Sequence, residues 1–221
     1  MSSDLATVLR TRHSCRAFRR EGVSDAIIRG IVADARRAPS WCNAQPWQLT
    51  VTRGAQTDRF RAMLQQAVAS GTPNPDLPWP DSYPGAHGAR RRTCGYQLYE
   101  AAGIARDDRE GRAAQSLRNF DLFDAPHVAI VSSEAALGPY GALDCGGFVT
   151  AFLLAAEARG VATIAQASVA AYPDAIRAHF DLPETRLILC AVSFGFADRD
   201  HPANSFRTER AKVDDMLDIR H

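Results

Sequence analysis

The nine residues Pro39-Ser40-Trp41-Cys42-Asn43-Ala44-Gln45-Pro46-Trp47 constrain this chain more than any other stretch. Proline fixes φ and removes a donor, so a helix that reaches Pro39 stops there and Pro46 stiffens the exit. Asn43 and Gln45 then hold amide donors and acceptors in fixed positions, as a planar heterocycle with N–H and C=O edges requires. The same nine residues also suit a plain helix-to-strand connection whose tryptophans fill core space. The flanks agree with either reading. Ser24 is a good N-cap for a helix carrying Ile27, Ile28, Ile31, Val32 and Ala35 at helical spacing, with Arg36 and Arg37 at its C-terminal end. After Trp47, Gln48–Thr52 alternates as a strand.

The rest of the chain reads mostly as helix. Leu5, Val8 and Leu9 give a short first helix ending near Arg10, and Gln56–Ser70 gives another through Phe60, Met63, Leu64 and Val68. Thr72–Gly88 breaks the pattern with five prolines, and Trp79 and Tyr83 within it favour an ordered lid over a free linker. The lid is drawn as Thr72–Arg92, ending on Arg90, Arg91 and Arg92. Helical character returns from Arg90 to Leu122. His127–Val131 is a strand entered through Pro126, and Leu143–Arg159 a nearly all-round apolar helix, hence buried. Val161–Ile164 is a short strand, Pro173–Phe180 a helix with proline near its start, and Leu187–Val192 a buried strand. Without regular βαβ alternation, this order predicts an α+β layered unit over residues 1–221.

Several function classes lose support at once. A formal net charge of +1 is far from the basic excess of a nucleic-acid binder. Lys212 is the sole lysine, so any phosphate contact falls to arginine. Five cysteines without CxxC spacing and no signal-peptide pattern over Met1–Thr11 point to a reducing cytoplasm. The apolar run Phe148–Ala158 is too short to cross a bilayer, so no membrane is implied. Neither GxSxG, GxGxxG nor a Walker loop occurs, and the six histidines lack HExxH spacing, so no metal is expected. His127 reads as a structural histidine and Cys42 as a small hydrophobe.

The remaining chemistry is basic. Arg12-His13-Ser14-Cys15-Arg16 places two guanidiniums, an imidazole and a hydroxyl within five residues, and Arg207 and Arg210 form a late pair. Such groups can cradle a phosphate, since guanidinium binds its oxygens bidentately; a solvated basic turn would look the same in isolation. With the Pro39–Trp47 turn, the three motifs together resemble the FMN-dependent nitroreductase family, nitrobenzoate-reductase-like members included. That family orders an arginine-rich serine motif, a Pro-Ser-x-x-Asn-x-Gln-Pro-Trp turn and a basic C-terminal motif in this way.

The resemblance implies a three-layer α/β/α domain on a central mixed, mainly antiparallel sheet. It implies a homodimer with FMN in two sites built from both subunits. Arg12, Ser14 and Arg16 would hold the phosphate and ribityl end, with His13 beside the pyrimidine edge, and Arg207 and Arg210 would close the phosphate pocket. Pro39, Ser40 and Asn43 would come from the partner, Gln45 bracing their turn. Backbone at Ala165, Gln166 and Ala167 would lie along the isoalloxazine, and Asn119 would reach its pyrimidine side. No protein group is assigned as catalytic, because the cofactor carries the redox chemistry: hydride from NAD(P)H, then ping-pong reduction of a nitroaromatic or quinone. Trp41, Trp79, Tyr83 and Arg91 are read as contacts to this small aromatic acceptor. Reductive dehalogenation, oxygen-dependent flavin breakdown, or a non-catalytic flavin sensor or carrier are the competing readings.

Overall fold

Side-chain alternation along the strands sorts the molecule into layers. The protein is described here as a computed structural model covering residues 4–221; the first three residues of the Met1–Thr11 stretch lie outside the described residues. The elements are α1 (Leu5–Thr11), α2 (Asp25–Ala35), β1 (Gln48–Arg53), α3 (Ala55–Ser70), α4 (Gly85–Ala101), α5 (Arg109–Leu117), β2 (His127–Glu134), α6 (Gly138–Glu157), β3 (Ala162–Gln166), α7 (Pro173–Phe180) and β4 (Arg186–Gly195), with short 3₁₀ turns between some of them. The sheet order is β1-β2-β4-β3 and all three ladders are antiparallel. Among the described residues, the expected mixed character is confined to one parallel bridge, Ser14 to Thr163, on the outer side of β3.

Ala129 and Val131 of β2 face one side, where they pack with Ile31 of α2 and Phe148 and Phe152 of α6. Val128 and Ile130 face the other, with Phe60 and Leu64 of α3 and Ile176 of α7. The period of two therefore produces an α/β/α sandwich, and each fully buried Phe contributes about 1.5–3 kcal/mol of transfer free energy. Ser24 caps α2 as its sequence suggests, accepting a hydrogen bond from the Ile27 N–H at 3.4 Å. Gly160 at φ 71° stops α6 and turns the chain into β3, a conformation glycine adopts without strain.

Three expectations need correction. The helix expected over Arg90–Leu122 begins earlier, at Gly85, and is split by the irregular 102–108 segment into α4 and α5. Gly103 at φ 70° is the break, taking the C′ position of α4 while the Ile104 N–H donates to the Tyr99 carbonyl at 2.8 Å. Arg90, Arg91 and Arg92 thus lie on α4 and not in a loop, and the irregular part of the lid ends at Pro84.

The third correction concerns α6. It is longer than the apolar run suggested, and the 23-residue segment Ala135–Glu157 is apolar and long enough to cross a membrane by those two measures alone. It is also not buried all round. Gly141, Cys145, Phe148, Phe152 and Ala156 pack inward, while Tyr140 and Leu143 are 57% and 67% exposed.

Candidate functional site

The outer edge of β3 is where the candidate residues collect. Cys15 donates its N–H to the Thr163 carbonyl at 3.0 Å, which fixes Thr163 as a residue whose backbone polar groups point away from β4. Strand parity then turns the backbone N–H and C=O of Ala165 to the same open edge. Ala165 and Ala167 are exposed there, whereas Gln166 between them is buried. A cleft of about 280 Å³ runs along this edge, lined among others by Ser14, Arg16, Asn119, Ala165, Gln166 and Ala167. Six residues from three separated parts of the sequence expectation therefore meet in one place.

Gln166 and Asn119 meet for a structural reason. The Gln166 amide donates to the Asn119 carbonyl at 2.8 Å, and its Oε1 accepts from the Ser193 hydroxyl at 2.5 Å. Locked in this way, Gln166 presents only its backbone to the cleft and ties the 119–125 segment to β3. That segment is strained: Leu122, Phe123 and Asp124 hold φ of 57°, 51° and 61° without a glycine among them. The Pro39–Trp47 turn is strained similarly at Cys42, Asn43 and Gln45, at 51°, 56° and 50°. Such outliers persist where surrounding structure over-determines them, commonly at sites that act.

The basic motif divides. Ser14 and Arg16 face the cleft, but His13 points into a separate cavity of about 650 Å³ shared with Arg207, Glu157 and Arg19. The reason is extended backbone at Ser14, which sends successive side chains to opposite sides. Burial depresses the His13 pKa, with Arg207 adding to the effect, so the ring is neutral at neutral pH; its Nδ1 lies 3.1 Å from the Thr11 carbonyl. Arg12 faces Arg210: burial first, and then this neighbouring guanidinium, pull the Arg12 pKa down. Burial does the same to Arg16. Among the described residues, none of Arg12, Arg16, Arg207 and Arg210 forms an ion pair with a carboxylate. Arg12 and Arg16 are thus partly desolvated, Arg12 with an exposed Arg210 near it and only Glu157 to offset the charge, and an anion bound here would relieve them.

Asn204 organises this region, and nothing in the sequence singled it out. It is buried, its Oδ1 accepts from the Arg16 N–H at 2.7 Å, and its Nδ2 donates to the Ala17 and Asp198 carbonyls at 3.0 and 2.7 Å. Leu98, Tyr99, Gln115, Ser116 and Phe123 also line the cleft unforeseen. They belong to α4, α5 and the strained turn, whose sequences carry no distinctive pattern.

Other expected residues lie elsewhere in the chain. Trp41 stands 60% exposed, edge-on to Tyr140 at 4.5 Å, and lines a different cavity with Cys42 and Leu137. Cys42 is exposed and not a core hydrophobe, because the left-handed turn carries it outward. Gln45 braces its turn, its N–H reaching the Ser40 hydroxyl at 2.9 Å and its amide the Asn43 carbonyl at 3.3 Å. Neither these residues nor Pro39 line the β3 cleft of their own chain. Tyr83 and Arg91 share a third cavity under the lid, while the half-exposed Trp79 lines none of the four.

Known proteins share this sequence and this fold. The Nitroreductase family profile matches residues 9–196. The 4-nitrobenzoate reductase of Pseudomonas putida is 32% identical over 210 residues, covering 95% of this chain and 92% of its own. The solved structure of the FMN-dependent nitroreductase NfnB from Mycobacterium smegmatis in complex with NADPH superposes with a TM-score of 0.93 at 32% identity, covering 99% of this chain and 100% of that one. The FMN and NADPH-dependent NfnB of sphigopyxis sp. strain HMH gives 0.95 at 29% identity with the same coverage. An open strand edge beside Arg16, on this sandwich and with these relatives, leads to one conclusion: the chain belongs to the nitroreductase family.

Proposed function

We propose that this protein is an FMN-dependent NAD(P)H oxidoreductase of nitroaromatic acceptors, acting as a cytoplasmic homodimer with residues 1–221 as one FMN-binding unit. The observation that carries the reading is the β3 cleft, where Ser14 and Arg16, an arginine with no carboxylate partner among the described residues, meet the open backbone edge of Ala165. A phosphate answers the first and a flat heterocycle with N–H and C=O edges the second. Bound there, FMN would supply the two-electron redox chemistry between the nicotinamide and the nitro group.

The chain's own groups bind and orient. Arg12, Ser14 and Arg16 would hold the phosphate and ribityl end and Arg207 and Arg210 would close the phosphate pocket, while neutral His13 faces the neighbouring cavity. The backbone of Ala165, Gln166 and Ala167 positions the ring edge, Asn119 closes the pyrimidine side, and Pro39, Ser40, Asn43 and Gln45 arrive from the second subunit. What supports that last assignment is that none of these four residues lines the cleft of its own chain. The relatives are named as reductases, which leaves a non-catalytic flavin carrier without support.

Purified protein is expected to show a flavin spectrum and to oxidise NADPH or NADH when 4-nitrobenzoate is added. Each charge-assisted contact to phosphate contributes roughly 1.5–3 kcal/mol, so Arg210→Ala weakens FMN retention on dialysis by about tenfold or more. Undiminished retention would remove the arginine clamp, and flavin binding without turnover would remove the reductase.

A further inference from the structure

The centre of α4 carries a glycine that folding does not explain. Gly95 lies well inside the helix, where glycine costs about 1 kcal/mol relative to alanine. Its φ is not positive, and a Cβ there would meet only the Tyr99 ring, at 3.9 Å. Neither backbone conformation nor close packing requires it. What it leaves is empty space.

That space lies on an ordered stripe. Gly88, Arg91, Arg92, Gly95, Leu98 and Tyr99 follow helical spacing and share one face of α4. At its C-terminal end Leu98 and Tyr99 line the β3 cleft with Arg16 and Ala165. At the other end Arg91 and Arg92 line the 360 Å³ recess beneath the lid with Tyr83. Seven residues of helix, about 10 Å, separate the two ends. The stripe is apolar toward the cleft, flat at Gly95 and cationic beyond it.

Arg91 is the arginine held in place. Its guanidinium sits over the Tyr83 ring, 5.2 Å from the centroid. Gly88 permits this, since a Cβ there would fall 2.4 Å from the Tyr83 carbonyl oxygen. The base of the lid is fixed as well, through Asp76 bonded to Arg177 and to the Ile188 N–H, both at 2.7 Å. Asp81 lines the recess without pairing to either arginine, so the guanidinium stays available.

We infer that Gly95 is the floor of an acceptor shelf and that Arg91, steadied by Tyr83, binds an anionic substituent remote from the nitro group. This rests on the reductase reading above and gives its substrate class: nitroarenes bearing a carboxylate. The nitro end lies toward Leu98 and the cleft, and the carboxylate meets the planar guanidinium at the distal end.

The test compares kcat/KM for 4-nitrobenzoate and nitrobenzene in the FMN-loaded enzyme. Arg91→Ala is expected to lower the 4-nitrobenzoate to nitrobenzene ratio at least tenfold, chiefly through KM, and Arg91→Lys to recover part of it. Raising ionic strength reproduces the trend in the wild type by weakening 4-nitrobenzoate selectively. Gly95→Leu fills the shelf and lowers kcat/KM for both acceptors at wild-type flavin content. An Arg91→Ala enzyme that reduces both acceptors in the wild-type ratio would overturn the assignment, as would a ratio that responds to Arg92→Ala alone. Failure of the wild-type holoenzyme to reduce either acceptor would instead overturn the reductase reading, and this inference with it.

Discussion

His127 shows what a single residue can reveal about a buried ring. It is 3% exposed; its Nε2 accepts the Val23 N–H at 2.8 Å and its Nδ1 lies 3.1 Å from the Thr52 carbonyl. An acceptor at one nitrogen and a donor at the other define the neutral Nδ1–H tautomer. Burial is the main cause of its lowered pKa, Arg53 adds to it, and the Thr52 carbonyl and Asp25 oppose it. The unfolded chain, with the ring near 6.5, therefore takes up the proton first as pH falls. Stability from neutral His127 is complete above that value and drains away below it. Urea midpoints are expected to fall more steeply from about pH 7 to 5.5 in wild type than in His127→Gln. His13 and His179 shift in the same direction, so the difference between the two proteins isolates His127. Equal slopes would reject the assignment.

Among the elements, the lid is better anchored than its prolines alone require. Asp76 and Arg177 are each only 12% exposed and pair at 2.7 Å, and Arg177 also bonds Asp174 and the Arg186 carbonyl. The second bond of Asp76, to the Ile188 N–H, falls where the β2–β4 register shifts at Val131 and Ser132. A bulge leaves a ladder donor unpaired, and Asp76 supplies the missing acceptor. Asp76→Ala leaves this amide without its acceptor and removes one of the two carboxylates on Arg177, which keeps Asp174, at a cost of about 1–3 kcal/mol. Chemical denaturation should show that loss. Limited proteolysis should also cut the 77–84 segment faster, because the lid then loses its fixed end. A variant as stable and as resistant as wild type would mean the pair adds nothing to the lid.

For the whole molecule, the open question is what covers α6. Its outer face carries Tyr140, Leu143, Gly147 and Thr150 at helical spacing, and the glycines at 146 and 147 have nothing within 4 Å of a built Cβ. An apolar helix of 20 residues with one face bare suits a large isologous interface between two copies. The Pro39–Trp47 turn adjoins this face, since the Trp41 N–H donates to Asp144 of α6 at 3.0 Å. Docking α6 faces would thus carry each turn toward the other subunit. Leu143→Glu is expected to shift the protein to monomer in sedimentation velocity and to release FMN in the same step. A monomeric variant that keeps its flavin would separate the turn from the cofactor site and refute the shared-site reading.

How far each level reaches follows from the range of the forces involved. Strand alternation, the Ser24 cap and the prolines act over a few residues, so Gln48–Thr52, α2 and α7 were legible directly from the chain. The three basic and amide motifs were legible as chemistry, and their order along the chain marked the family. Their meeting was not. Which face of the 12–16 segment each side chain takes depends on the Ser14–Thr163 bridge, a pairing across 149 positions that no local pattern encodes. Asn204 stayed invisible because its value lies chiefly in bonds to Arg16 and Ala17, at the far end of the chain. The break in the long helix falls at Gly103, where the Ile104 N–H turns back to the Tyr99 carbonyl. The apolar sequence of α6 revealed that it would be covered, while the sandwich decided that only one side of it is covered from within the chain, because a single sheet offers a helix a single face.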